Sequence, residues 1–182
     1  MNIDLNKIPS MDLNHLTHHL GNAEYRSYFL SAAGREHYRL LAYFSTIFNN
    51  QILLDIGTNR GTSSVAMAYN PTNKIISYDL EDVLELSSRL PNVEYRLGDF
   101  TLDEYKADVM ASPLIMLDTA HEGPFEYQVY NYLNDIGWEG YLLLDDIYLN
   151  EPMKEFWNHI KRDKHDLTSV GHWSGTGLVI FN

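Results

Sequence analysis

The chain has 182 residues, which fits a single α/β domain with a full core and leaves little room for two independent ones. Twenty-five acidic against 13 basic residues give a formal net charge of −12, a field that repels a nucleic acid backbone and speaks against DNA or RNA as substrate. Cysteine is absent, which excludes disulfides and thiolate metal sites, and no apolar run approaches the ~20 residues needed to span a bilayer. The N-terminus lacks a basic start followed by an apolar block, so a cytoplasmic location is expected.

In chain order, the first 20 residues are polar and carry His15, His18 and His19. No apolar period or carboxylate spacing organises them, and they read as a solvated lead-in. Residues 23–49 read as helical, with Tyr25, Phe29 and Leu30 on one face. Leu40, Leu41, Phe44, Ile47 and Phe48 then recur at three- and four-residue steps, and Gly34 separates two helices. This helical segment (1–50) precedes a core (51–182) in which short apolar strands alternate with amphipathic stretches. Strands are expected at Ile52–Leu54, Lys74–Tyr78, Val93–Leu97, Leu114–Leu117 and Tyr141–Leu144. The first, fourth and fifth are apolar at every residue, as in a parallel sheet covered on both faces.

Helical spacing follows the first strand at Val65 to Tyr69, the second at Val83, Leu86 and Leu90, and the fourth at Phe125, Val129, Leu133 and Ile136. After the fifth strand, Asn150 and Pro152 open a helix striped by Met153, Phe156, Trp157 and Ile160. Asp166–Val170 and Leu178–Phe181 are joined by too few residues for a helical crossover, so they should run antiparallel. The expected architecture is α/β: a doubly wound, mostly parallel seven-stranded sheet with a terminal antiparallel hairpin.

The strongest local signal is Asp55-Ile-Gly57-Thr58-Asn59-Arg60-Gly61-Thr62-Ser63, where the first strand gives way to a helix. Glycine there lets the backbone approach a ligand. About 20 residues on, Asp79 ends the second strand, where an acidic side chain can accept hydrogen bonds from ribose hydroxyls. The same placement suits a nicotinamide dinucleotide, but the turn lacks the Gly-x-Gly-x-x-Gly order that packs against a pyrophosphate.

Over roughly residues 35–182 the chain resembles the class I S-adenosylmethionine-dependent methyltransferases, whose first-strand motif is an acidic residue followed by Gly-x-Gly-x-Gly. Here Asn59 replaces the middle glycine. The resemblance implies a Rossmann-like methyltransferase fold with S-adenosylmethionine as cofactor. Gly57, Thr58, Gly61 and Ser63, with Asp55, would serve its methionine part, Asp79 its ribose, and Asp99 and Phe100 its adenine.

Asp118 ends the fourth strand, and Asp145 and Asp146 end the fifth. If those strands are neighbours, three carboxylates converge at the ligand-binding edge, and either one holds a proton or a cation lies among them. Oxygen-only ligands suit magnesium or calcium. Asp145 and Asp146 could instead cap the next helix, and His121 could be a turn residue. The trio also resembles metal-dependent O-methyltransferases of the catechol and caffeoyl-coenzyme A type. By that likeness Asp118, Asp145 and Asp146 would hold the cation, and His121 stands where the branch carries a catalytic lysine. The implied activity is methyl transfer to a hydroxyl of a small molecule. A methyltransferase-like module that binds without catalysis is the alternative. The aromatic N-terminal helices could pair subunits. Tyr148, His172 and Trp173 border the same edge and receive no role.

Overall fold

Each apolar run read as a strand pairs edge to edge with the others in the computed structural model, which describes residues 3–182. Met1 and Asn2, the start of the polar lead-in, lie outside the described residues. The strands are β1 (Ile52–Ile56), β2 (Lys74–Asp79), β3 (Val93–Leu97), β4 (Leu114–Leu117), β5 (Gly140–Asp145), β6 (Lys164–Asp166) and β7 (Thr176–Phe181). They form one seven-stranded sheet in the order β3-β2-β1-β4-β5-β7-β6. The first five positions are parallel; β7 runs antiparallel to both β5 and β6.

Strand alternation sends successive side chains to opposite layers. Leu53, Ile75, Leu114, Met116, Leu143 and Leu178 join one apolar cluster with α1 (Ala23–Phe29), α2 (Tyr38–Ile47) and α3 (Thr62–Met67). Leu54, Ile76, Ile115, Leu117, Leu142, Leu144 and Val179 join the other, with α4 (Lys106–Ala111), α5 (Pro124–Asp135) and α6 (Glu151–His159). Both faces are covered, which is why the central strands are apolar throughout. Among the described residues no helix is long and apolar enough to cross a membrane.

Four expectations are corrected. The polar lead-in is not a solvated tail: it folds into 3₁₀ helices at Leu5–Ser10 and Asn14–His19 and buries Ile8, Leu13, Leu16 and Leu20 in the α1–α3 cluster. Tight three-residue turns broken at Met11 do not produce the 3.6-residue period of an α-helix. The helix expected through Val83, Leu86 and Leu90 is absent. That segment is instead pinned to the lead-in by the Leu20–Leu86 bridge and by the Ser87 N–H donating to the His19 carbonyl at 2.8 Å. The strand expected at Asp166–Val170 ends at Asp166, whose Oδ1 accepts the Thr168 N–H at 2.9 Å and turns the chain. Leu30, grouped on one helix face with Tyr25 and Phe29, instead lies just past the end of α1 and is exposed, while Phe29 is buried. Helix α4 was not anticipated; only Val109 of it is buried.

Asp55 and Ser77 are register partners of β1 and β2, pointing into the α1–α3 layer. Both are fully buried, and Asp55 Oδ2 accepts from Ser77 Oγ at 2.6 Å and Ser63 Oγ at 3.0 Å. Burial pushes the Asp55 carboxyl up to about 7, against the two hydroxyl bonds. A carboxyl raised in the folded state favours folding fully below its unfolded value and ceases to do so as pH rises through the folded one.

Two stability measurements follow. Urea unfolding should show stability falling between pH of about 4 and about 7, and Asp55→Asn should flatten that slope; an equal slope in the variant contradicts the assignment. Leu13→Ala should cost about 2–4 kcal/mol, whereas a solvated lead-in would leave the midpoint unmoved.

Candidate active site

The carboxyl ends of parallel strands leave a crevice where successive crossovers turn to opposite faces. Here β1, β2 and β4 open onto a cleft of about 820 Å³ lined by Gly57, Asn59, Asp79, Asp99, Phe100, Asp118 and His121, among others.

Its floor is the turn after β1. Gly57 has φ of +96°, and a Cβ there would lie 1.6 Å from the Asp118 carbonyl oxygen, so only glycine lets the β1 and β4 turns meet. The N–H groups of Gly57 and Thr58 both donate to the Tyr78 carbonyl, at 2.9 and 3.1 Å. Asn59, where the resembling family has glycine, takes φ of 44°, left-handed backbone that asparagine tolerates better than most residues. Its N–H donates to Asp79 Oδ2 at 2.7 Å, and Glu81 N–H donates to Asp79 Oδ1 at 3.0 Å. Each Asp79 oxygen retains acceptor capacity, and the side chain lines the cleft. Phe100 forms apolar wall; Asp99 Oδ1 holds the Thr101 N–H at 2.9 Å.

Four residues singled out in this motif lie beneath the cleft. Thr58 Oγ1 shares a hydrogen bond with Ser77 Oγ at 2.6 Å, and Ser63 is tied to Asp55. A Cβ on Gly61 would meet Leu84 Cδ1 at 2.7 Å. Asp55, Thr58, Gly61 and Ser63 therefore shape the turn from below.

The rim opposite Asp79 is a cluster of carboxylates and imidazoles. β4 and β5 are parallel neighbours with Leu117 paired to Leu144, so Asp118 follows beside Asp145. Asp118 faces His121 Nε2 at 3.3 Å, and His121 Nδ1 lies 3.4 Å from Asp146 Oδ2. Behind them, Asp145 Oδ1 lies 3.3 Å from His37 Nδ1 and 3.4 Å from His172 Nδ1, which is 3.2 Å from Asp146 Oδ1. Asp145 and Asp146 are buried behind the rim rather than in the cleft wall. Neither caps α6; Asn150 does, accepting the Met153 N–H at 2.9 Å.

The charges are strongly coupled. Burial alone would push His37 down, but the charge of Asp145 holds it up at about 9. His172, likewise opposed by burial, is raised to about 10 by Asp145 and Asp146. His121 is raised by Asp118 despite burial. Asp145, despite burial, is held well below the usual carboxylate range by its two imidazoles, whereas burial and the charge of Asp145 push Asp118 up.

His121 owes its place to a buried carboxylate. Glu126 in α5 accepts the N–H groups of His121 and Gly123 at 3.1 and 2.8 Å and the Thr119 hydroxyl at 3.0 Å. Asn150 donates to the His121 carbonyl at 2.8 Å. His121 and Asp146 both have left-handed backbone, with φ of 56° and 58°, a conformation that costs about 1–2 kcal/mol for such residues.

Sequence reasoning missed His37 and gave His172 no role. His37 stands at the start of α2 beside Arg35, Glu36 and Arg39, where a histidine reads as one more polar residue before an apolar stripe, and Asp145 and His172 lie far away in the chain. Glu126 had a readable signal: it stands three residues after Gly123, where a helix N-terminus uses a carboxylate. Donor atoms of Asp118, His121 and Asp145 lie within 4.8 Å of one another, as do those of His37, Asp145 and His172.

No known family profile matches the chain. Over 149 residues it is 26% identical to a ribosomal protein L11 methyltransferase of Streptococcus pneumoniae, spanning 77% of this chain but only 43% of that protein. Among solved structures it is similar to a methyltransferase from Geobacter sulfurreducens, with a TM-score of 0.61, 15% identity, and 87% and 86% of the two chains covered. It also resembles a Staphylococcus aureus protein provisionally described as a caffeoyl-CoA O-methyltransferase, with a TM-score of 0.59, 12% identity, and 80% and 82% covered. The strand order, the reversed β7 and these likenesses together identify the class I S-adenosylmethionine-dependent methyltransferase fold.

Proposed function

We propose that the chain is an S-adenosylmethionine-dependent methyltransferase acting on a hydroxyl of a small molecule. The observation that carries this reading is the meeting, in one cleft, of an acceptor suited to a nucleoside (Asp79) and an imidazole–carboxylate pair suited to taking a proton (His121 and Asp118).

The residues present fit the cofactor. Gly57 lets the β1 and β4 turns meet at the cleft floor, Asp79 offers free lone pairs for ribose hydroxyls, and Phe100 and Asp99 border the position for adenine. Asp55, Thr58, Gly61 and Ser63 keep the turn in the shape that contact needs. When bound, S-adenosylmethionine supplies a methyl group whose bond to sulfur breaks as the acceptor oxygen bonds to carbon. His121 takes the acceptor's hydroxyl proton, and Asp118 orients the ring and stabilises its charged form. Glu126 and Asn150 hold the backbone of that turn, so the base is presented without reorganisation.

A divalent cation belongs to the same proposal, held by Asp118, Asp145 and Asp146. Its support is that Asp118 and Asp145 follow paired residues of neighbouring parallel strands, so their carboxyl groups come to the same edge. The cation would supply Lewis acidity that lowers the pKa of a bound hydroxyl. Every one of these carboxylates also faces an imidazole nitrogen, a donor mixture that fits borderline ions better than magnesium or calcium.

Two measurements test this reading. In calorimetric titration S-adenosylmethionine and its demethylated product should bind and a nicotinamide dinucleotide should not, and Asp79→Ala should weaken binding by about tenfold or more; preference for the dinucleotide overturns the cofactor. With an acceptor found by screening hydroxylated compounds, His121→Ala should lower kcat by about 10²–10⁴-fold while cofactor affinity is retained. Unchanged kcat removes His121 from the reaction, and cofactor binding with no transfer to any acceptor would point to a binding module.

A further inference from the structure

We propose that His37, Asp145 and His172 bind one first-row transition-metal ion of the zinc or cobalt class, at an inner site that shares only Asp145 with the carboxylates considered above. The inference does not depend on methyl transfer.

Its first support is unmet polarity. His37 is 3% exposed, and neither of its ring nitrogens has a hydrogen-bond partner. Asp145, equally buried, leaves Oδ1 unpartnered. Buried polar atoms are nearly always paired, and each exception calls for a physical account.

The second support is spacing. A charge-assisted N–H···O bond closes to about 2.7–2.9 Å with the hydrogen aimed at oxygen. His37 Nδ1 and His172 Nδ1 instead stand 3.3 and 3.4 Å from Asp145 Oδ1. Bonds of about 2.0–2.1 Å to a tetrahedral ion put donors roughly 3.3–3.4 Å apart, and these two separations match that spacing. All three donor atoms lie within 4.8 Å of one another.

The third is the surroundings. Metal-bound imidazoles commonly have a carboxylate beyond the distal nitrogen. Here Asp118 Oδ2 lies 3.9 Å from His37 Nε2, and Glu36 Oε2 lies 3.9 Å from His172 Nε2. Ser174 Oγ, 2.8 Å from His172 Nδ1, would give up that hydrogen bond and keep its bond to Asp146. Two nitrogens and one oxygen, with no thiolate, suit borderline divalent ions and disfavour magnesium and calcium. The ligands come from the start of α2, the end of β5 and the loop before β7, so an ion would fasten the N-terminal layer to the sheet.

Chelator-treated full-length protein should be titrated with cobalt(II), followed by calorimetry and visible absorption, and its thermal midpoint read with and without zinc. One equivalent of cobalt should bind with visible bands, zinc should raise the midpoint, and a large excess of magnesium should not compete. His37→Gln and His172→Gln should each weaken cobalt binding by about tenfold or more, while His121→Ala, at the cleft rim, should retain it. No binding by the unaltered protein, or loss in His121→Ala with none in His172→Gln, overturns the inner site. Should His37→Gln fail to fold, the partly exposed His172 position decides. Titrating S-adenosylmethionine into the same samples separates this inference from the methyltransferase reading, since either ligand can fail while the other binds.

Discussion

Asp145 carries its carboxylate into a position almost closed to water, and satisfying that buried charge organises the carboxyl edge of the sheet. A buried ion costs several kcal/mol unless compensated. Compensation arrives from two directions: His37 from the helical layer and His172 from the loop before β7. These contacts join segments far apart in sequence. Asp146, next in the chain with left-handed backbone, passes the linkage to His121, and His121 passes it to Asp118 at the cleft.

The cleft inherits its shape from that chain of contacts and from one glycine. The Asp118 carbonyl presses against Gly57, so the turn carrying Asp118 and His121 and the turn that forms the cleft floor are in direct contact. Asp79 then closes the far side by taking the Asn59 N–H. A change at any of these points should be felt at the others, because interiors are close-packed and transmit strain. Backbone strain lies where the work is expected. Three of the four non-glycine residues with left-handed backbone among those described, Asn59, His121 and Asp146, belong to these turns, and Asn50 ends the segment before β1.

Much of this was legible beforehand. Apolar strands alternating with helical stripes pointed to the parallel order, the short gap at 171–177 pointed to the reversed last strand, and Asp118 and Asp145 were expected side by side if the fourth and fifth strands were neighbours, as they are. What stayed hidden depends on contacts between distant segments. Leu13 and Leu16 lie in 3₁₀ turns with no α-helical period, and Leu86 looked helical because it is apolar, although its partner is Leu20. His37 could not be paired with Asp145 from spacing, since only the packing of α2 on the sheet brings them together. Thr58, Gly61 and Ser63 occupy motif positions, yet their side chains or close contacts face the protein. A motif shows which residues a turn requires, not which of them a ligand touches.

On the reading proposed above, the cleft between Asp79 and His121 receives an adenosyl sulfonium. A crystal structure of the chain with S-adenosylhomocysteine tests it most directly. The expected result is ribose hydroxyls on Asp79, the adenine beside Phe100, and the sulfur directed toward the Asp118–His121 side. A ligand seated elsewhere, or with its ribose turned away from Asp79, would contradict it.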